Sequence, residues 1–173
     1  NSKPGTMTHP WHTIAYAVST SRGIHAGDTL IVRAGNYPES VYPEVSGTAT
    51  QPIILRRLKG ESVSLDPGKI RFDSGVNYWK VWGLSFTHSS GSGVEITGTH
   101  TSNSLYILNC TSSYNREDGF YLSGAFGGLT IRNCDMQFNG EVAGQPQAAE
   151  GHGIVVYGGG PAQLIIKNNF ISN

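Results

Sequence analysis

The chain has 173 residues, enough for one domain with a continuous core, and its twelve basic and twelve acidic residues cancel without a run of either sign. This balance argues against nucleic acid and an anionic membrane as partners, and neither a signal peptide nor an apolar stretch of ~20 residues is present. With 23 glycines and only 14% charged residues, the composition favours short strands joined by tight turns over a helical class.

The N-terminal segment has the pattern of a cap followed by a first strand. Its sequence predicts a short amphipathic helix, because Ile14, Ala17 and Val18 fall on one helical face. A helix here would cover the apolar end of a repetitive fold. We therefore assign residues 1–60 to a cap and a first coil. The segment reads "HTIAYAVSTSRGIHAGDTLIVRAGNYPESV".

The second half of the chain repeats itself. Four segments alternate apolar and polar residues and then reach a turn residue, at Gly83, Asn109, Asn133 and Asn168. The first two periods are 26 and 24 residues, and the third is 35 because of an insertion at about 141–150. The four segments are "WKVWGLSF", "LYILNCTS", "LTIRNCDM" and "LIIKNNFI".

A second series of segments accompanies the first, beginning at Gly93, Gly119 and Gly153. Each repeat is therefore expected to hold two short strands and two turns. Periods in the low twenties with two-residue alternation and no intervening helix predict a solenoid of parallel strands. Leucine-rich repeats share the period, but their wider leucine framework is absent here. Residues 61–173 would supply the repeated coils of one domain spanning 1–173.

These segments resemble the right-handed parallel β-helix of the pectin-lyase-like superfamily, and the resemblance covers essentially the whole chain. It implies an all-β fold, a right-handed single-stranded parallel β-helix with a short N-terminal capping α-helix. The resemblance is specific for fold and not for activity. It leads us to expect a secreted or cell-surface protein. The last coil lacks a visible cap, so we expect a fragment, an omitted tail or a homo-oligomer that covers this end.

The alternation of apolar and polar residues also predicts which side chains point into the solenoid and which point out to solvent. The inward set is expected to contain Leu105, Ile107, Leu129, Ile131, Leu164, Ile166, Val94, Ile96, Phe120, Leu122, Ile154 and Val156. Between them, Trp82 and Tyr106 would point outward, where they could stack on sugar rings or simply be ordinary exposed residues. Cys110 and Cys134 occupy the same repeat position, which predicts stacked buried thiols and leaves a disulfide open.

A polar corner precedes each strand of the second series. The residue before the glycine is Ser92, then Asp118, then His152, and removing the insertion leaves Asp118 and His152 24 residues apart, one coil period. We therefore expect these two side chains to stack in adjacent coils beside Arg116 and Glu117. Asp and Asn before glycine also cap ordinary turns, so a purely structural turn is the alternative.

The corner is similar to that of polygalacturonase-type glycoside hydrolases, through "NRED" at 115–118 and "GHG" at 151–153. The similarity implies that Asp118 protonates the glycosidic oxygen, that Glu117 helps to activate water and that His152 tunes the acid. Inverting hydrolysis places the two carboxylates ~6.5–9.5 Å apart. The sequence departs from that family at Ser92, where a further Asp is expected, and it shows no later Arg-x-Lys clamp.

The lyase branch of the superfamily requires different groups. There, Lys or Arg removes a proton and Ca²⁺ held by carboxylates neutralises the uronate. Arg116 and Arg132 are the candidate bases or carboxylate clamps. Only Glu117 and Asp118 are clear carboxylates, so a full calcium site is not evident, and we predict no metal site and no cofactor, with Ca²⁺ open only for a lyase.

Together these patterns predict a carbohydrate-active protein that binds or cleaves an acidic polysaccharide in a surface groove. An active protein would be a polysaccharide lyase or an inverting glycoside hydrolase, with Asp118, His152 and Glu117 as catalytic residues. Substrate would contact four further residues, Arg116, Arg132, Trp82 and Tyr106. The alternatives are a non-catalytic β-helix module, as in adhesins and phage fibres, and a fragment without activity.

Overall fold

The strands of the chain stack in parallel along three faces of a solenoid. The computed structural model describes residues 4–140, 151–158 and 163–172, and every strand pair within these ranges is parallel. Each strand pairs with strands about one repeat away in the sequence, so the chain winds into successive coils. The insertion predicted at 141–150 lies outside the described residues.

Each face is formed by one series of strands. The first face contains β1 (Thr29–Val32), β4 (Ile53–Arg57), β7 (Trp79–Trp82), the C-terminal parts of β9 (Val94–Leu108) and β11 (Phe120–Arg132), and β14 (Leu164–Lys167). The second face contains β2 (Gly35–Asn36), β5 (Val63–Leu65), β8 (Ser85–Thr87), β10 (Thr111–Ser113), β12 (Asp135–Gln137) and β15 (Phe170–Ser172). The third face contains β3 (Ser40–Val41), β6 (Lys69–Phe72), the N-terminal parts of β9 and β11, and β13 (Ile154–Tyr157).

The core is a set of stacked apolar columns. On the first face Leu55, Val81, Ile107 and Ile131 are in register on four adjacent strands, and all four are buried. Alternation along the parallel strands puts every second residue inside, where neighbouring coils cover it. The predicted inward positions on β9 and β11 are confirmed. These are Val94, Ile96, Leu105, Ile107, Phe120, Leu122, Leu129 and Ile131.

The final coil differs from this prediction. Ile166 and Val156 were expected inside, but their side chains are 45% and 41% exposed. They lie on β14 and β13, which pair with β11 on one side, and no further described strand covers the other side. An inward direction therefore buries a side chain only where another coil or the capping helix covers it, as at Val41 in the first coil.

The expected repeat of two short strands differs from the structure, because each central coil has strand segments on three faces, and the third-face and first-face segments are continuous in β9 and β11. The strands of the second face were missed because their inward column alternates in chemistry, with Phe86, Ser112 and Met136 in register and all buried. A buried serine interrupts the apolar pattern. Its hydroxyl donates to the Gly119 carbonyl oxygen at 2.7 Å, which satisfies it inside the core.

The predicted asparagine turns separate the first face from the second. Asn109, Asn133 and Asn168 have φ values of 52°, 54° and 55°, in the left-handed region that Asn and Gly tolerate best. The Asn133 side-chain amide donates to Asn109 Oδ1 at 3.2 Å, so the turns are also linked from coil to coil.

A short helix, α1 (Ile14–Ala17), covers the first coil as expected. Ile14, Ala17 and Val18 are buried. The Glu39 carboxylate accepts the backbone N–H groups of Ile14 and Ala15 at 2.7 and 3.0 Å, which fixes the start of the helix. In the described part of the chain, no helix has the length and apolar character needed to cross a membrane.

The two cysteines are buried free thiols on adjacent coils. The Cys110 Sγ donates to the Leu108 carbonyl oxygen at 3.3 Å. Burial raises the pKa of the Cys110 thiol well above its ordinary value, so this group is protonated at neutral pH. The structure therefore agrees with the stacked-thiol interpretation and does not contain the disulfide.

Candidate functional site

The corner between the second and third faces aligns one polar residue from each of three coils. The backbone N–H of Asp118 donates to Ser92 Oγ at 3.3 Å, and the backbone N–H of Gly119 donates to the His152 carbonyl oxygen at 2.8 Å. Phe120 and Ile154, which follow these residues, are paired in β11 and β13. The expected one-coil spacing of Asp118 and His152 is therefore present in the structure.

Asp118 and His152 form a direct side-chain pair. Asp118 Oδ1 accepts both the backbone N–H of His152, at 2.9 Å, and the ring Nδ1, at 3.0 Å. The Asp118 side chain is 12% exposed, whereas the His152 side chain is 50% exposed. A carboxylate can only accept, so this geometry assigns the proton to Nδ1, and in a neutral ring Nε2 then carries the lone pair.

A buried amide network holds this corner from below. Asn115 is fully buried, and its side-chain amide donates to Ser112 Oγ at 3.1 Å and to Asn139 Oδ1 at 2.9 Å. Its Oδ1 accepts the backbone N–H of Ser89 at 3.0 Å, one coil earlier. The network joins three coils at the start of the turn that carries Asp118. The first residue of the "NRED" segment therefore supports the site without lining it.

The two residues between Asn115 and Asp118 are exposed. Arg116 and Glu117 donate their backbone N–H groups to the carbonyl oxygens of Ser89 and Gly91 at 3.0 and 3.2 Å, which fixes the turn and leaves both side chains on the surface. A Cβ built on Gly91 would lie 3.5 Å from Glu117 Oε2 and 3.2 Å from Glu95 Oε1. The carboxylates of Glu117 and Glu95 therefore both lie next to Gly91, which has no side chain to separate them.

That second carboxylate belongs to a charged cluster that the sequence interpretation missed. Lys69 Nζ contacts Glu95 Oε1 at 2.6 Å, and Arg71 Nη1 lies 3.7 Å from Glu95 Oε2. Glu95 is buried, and the Lys69 side chain is mostly covered. Lys69, Arg71 and Glu95 alternate with the inward Ile70, Phe72, Val94 and Ile96, so the third face presents their side chains outward. The two-residue alternation of "GKIRF" was the signal that could have identified them.

Arg71 also connects the cluster to Asp73. Its Nε donates to Asp73 Oδ1 at 2.7 Å, and the Thr97 hydroxyl donates to the same oxygen at 3.0 Å. Partial burial opposes ionisation of Asp73, but these two hydrogen bonds outweigh it and lower the Asp73 pKa. The third face thus carries matched positive and negative groups beside the corner.

The carboxylates of the corner do not match a calcium-binding set. Glu95 is paired with Lys69 and Arg71, and Asp118 is paired with His152. Calcium is held by six to eight oxygen ligands, several of them carboxylates. In residues 4–140, 151–158 and 163–172, no group of three or more His, Cys, Asp or Glu side chains could hold a metal ion.

The remaining predicted contacts lie on another surface. Trp82 and Arg132 occupy one outward column of the first face, each in register with Leu108 between them, and Tyr106 lies in the neighbouring column, in register with Lys80. The structure therefore does not bring Trp82, Tyr106 and Arg132 to the corner that carries Asp118 and His152. The seven predicted site residues therefore lie on two separate surfaces instead of one site.

Comparison with known proteins finds one family model, one curated relative and one solved structure to report. The family model described as "Pel9A-like, right handed beta helix region" matches residues 1–169. The chain is 27% identical over 175 residues to "Pectate lyase PEL9" of Emericella nidulans, a match that covers 86% of this chain and 41% of that protein. A crystal structure of pectate lyase Pel9A superposes with a TM-score of 0.48 at 13% identity, covering 84% of this chain and 53% of that one. The chain thus spans about half, or less, of each relative.

Proposed function

Because the chain belongs to the Pel9A-like right-handed β-helix family, we propose that it is part of a protein that cleaves an acidic polysaccharide at the corner between the second and third faces. The similar protein from Emericella nidulans is named a pectate lyase, so the proposed substrate class is pectate, a polymer of uronic acids. Pectate is a long polymer, so the protein would act on it outside the cell, in agreement with the expected secretion or cell-surface location.

The observation that carries this proposal is the Asp118–His152 pair. Asp118 Oδ1 holds the backbone and the ring Nδ1 of His152 in one orientation, and the ring is half exposed. An imidazole fixed by a buried carboxylate, with Nε2 as a proton acceptor, has the arrangement that general acid–base catalysis uses. His152 is then the proton-transfer group, and Asp118 is the residue that positions it.

This arrangement suits elimination from a uronate. A base removes the proton on the carbon next to the carboxylate, the electron pair forms a carbon–carbon double bond, and the glycosidic oxygen leaves with a proton from solvent or an acid. Neutral His152 Nε2 would accept the first proton. The leaving oxygen would take its proton from solvent at this open corner, where Glu117 on the same turn is exposed.

The cations beside the corner would receive the substrate's carboxylates. Arg71 is partly exposed, and its guanidinium offers the planar donor fork that binds carboxylates in pairs of hydrogen bonds. Exposed Arg116 lies on the turn itself. Lys69 Nζ lies 2.6 Å from Glu95 Oε1. Its proposed role is therefore to orient the Glu95 carboxylate and not to bind substrate.

The test is turnover of polygalacturonate by the 173-residue chain. Elimination yields unsaturated uronate ends that absorb ultraviolet light, whereas hydrolysis yields new reducing ends without that absorbance. His152→Ala should lower the rate by about 10²–10⁴-fold, the usual contribution of one acid–base group. Asp118→Asn should lower kcat with little change in KM, as expected for a residue that positions the base and does not bind substrate.

His88→Ala is the matched control. His88 Nδ1 contacts Asp66 Oδ1 at 2.7 Å, so the chain contains a second His–Asp pair on the same series of turns. This variant should turn over substrate at close to the wild-type rate. If wild-type chain gives no product with or without added Ca²⁺, the non-catalytic β-helix module becomes the better interpretation.

A further inference from the structure

The outer surface of the first face carries a strip of cations and aromatic rings that the corner chemistry does not use. We call it the cationic strip. It consists of Arg56, Lys80, Trp82, Tyr106, Arg132 and Lys167.

Strand register places most of the strip in one line along the solenoid. Arg56 pairs with Trp82, Trp82 with Leu108, Leu108 with Arg132, and Arg132 with Lys167. Adjacent strands are ~4.8 Å apart. Four of the five positions along the line are charged or aromatic, and the middle one is the buried Leu108. A ligand that follows the line must therefore be an extended polymer that crosses successive coils.

The strip has a single sign of charge although the chain as a whole is neutral. The outward positions of β4, β7, β9, β11 and β14 on this face include no Asp or Glu. They are Ile54, Arg56, Lys80, Trp82, Tyr106, Leu108, Thr130, Arg132, Ile165 and Lys167. Among the described residues, none of the four cations of the strip forms an ion pair, whereas Lys69 and Arg71 on the third face are both paired. Unneutralised cations in a row attract an anionic polymer.

The aromatic residues add a second kind of recognition. Trp82 and Tyr106 are 49% and 37% exposed, and Lys80 Nζ lies 5.5 Å from the centre of the Tyr106 ring. This cation–π contact between Lys80 and Tyr106 restricts both side chains of the strip. Flat, exposed rings between cations present an apolar surface to the C–H face of a sugar while the cations reach its carboxylates.

We propose that the cationic strip is a second binding surface for a linear anionic polysaccharide, separate from the corner that carries Asp118 and His152. This inference rests on the proposed function only for the choice of polymer. The charge of the strip and the register of its strands do not depend on whether the chain cleaves a substrate. The strip would hold a long chain on the first face while another part of the polymer, or another molecule, occupies the corner.

The test measures polygalacturonate binding by affinity electrophoresis and calorimetry, with His152→Ala in every variant so that no substrate is consumed. Trp82→Ala should weaken binding about three- to tenfold, as the loss of one ring contact predicts. Arg132→Gln should weaken it about two- to fivefold and reduce its dependence on salt. The matched variants Trp82→Phe and Arg132→Lys should retain most of the affinity, because they keep the ring and the charge.

Several outcomes would overturn the inference. Wild-type affinity in both Trp82→Ala and Arg132→Gln would do so, as would equal binding of neutral dextran, tighter binding of polythymidylate, or absence of polymer binding. The proposed function fails independently of these results. A chain that binds through the strip and yields no product contradicts only the proposed function, whereas product formation with strip-independent binding contradicts only this inference.

Discussion

At the scale of single residues, one short segment of the corner combines a buried support with the pair proposed to transfer protons. Within "NRED", Asn115 is buried and linked to three coils, Arg116 and Glu117 are exposed, and Asp118 reaches His152. Sequence reasoning located Asp118 and His152 in adjacent coils because both precede a glycine at one repeat period. It could not identify the amide network, because nothing in the sequence shows that the Asn115 side chain turns into the core, where it bonds Ser89 and Asn139 on the neighbouring coils.

Asn115 should be the residue of this turn whose loss costs most stability. Asn115→Ala removes bonds to Ser89, Ser112 and Asn139 and leaves buried polar groups without partners, so we expect a loss of about 2–4 kcal/mol in the free energy of unfolding. Chemical denaturation measures it. Asn36→Ala is the control, because exposed Asn36 donates to the Asp66 carbonyl oxygen at 2.8 Å in a site that water can reach, and it should cost under about 1 kcal/mol. Equal losses would contradict the network's role.

At the scale of elements, the long strands β9 and β11 turn from the third face to the first without ending. Gly98 and Gly124 are paired at this bend and have φ values of 86° and 129°. The register shifts between Phe126 and Leu129, which marks an irregularity that lets the strand change direction. The sequence suggested a turn here, but a continuous ladder through the bend follows only from the pairing of neighbouring coils.

Gly124 should tolerate no side chain. A Cβ at this position would overlap the Gly98 carbonyl oxygen, and the φ value itself disfavours any L-residue. We expect Gly124→Ala to cost about 2–5 kcal/mol in unfolding free energy, from backbone strain plus overpacking. Gly60→Ala separates these contributions, because Gly60 has a φ of 84° and no atom within 4 Å of the added Cβ. Gly60→Ala should cost about 1–2 kcal/mol in unfolding free energy. A similar cost for Gly124→Ala would show that overlap with the Gly98 carbonyl oxygen contributes nothing.

At the scale of the whole molecule, stability should vary from coil to coil. Each coil of a solenoid is stabilised by its immediate neighbours. Central coils bury their inward columns completely, as at Ile107 and Ile131, whereas β14 and β15 expose most of their apolar side chains. The local free energy of opening should therefore be lower in the final coil than at the centre.

Native-state hydrogen exchange tests this gradient. Peptides covering 164–172 should exchange before peptides covering 105–113, although both contain strands of the first and second faces. The physical reason is the smaller apolar area that the final coil buries. Equal protection in both regions would mean that the described coils open as a single cooperative unit.

The sequence by itself determined the coil period, the parallel strands, the asparagine turns and the stacking of Asp118 on His152, because each of these repeats at a fixed spacing. It also determined the capping helix, because Ile14, Ala17 and Val18 fall on one helical face. Tertiary structure decided the rest. It revealed the strands of the second face, where buried Ser112 breaks the apolar pattern, and the Lys69–Glu95 pair between neighbouring coils. It also separated Trp82, Tyr106 and Arg132 from the corner. Which face an outward residue occupies depends on where each coil bends, and bends are set by contacts between coils that no single repeat contains.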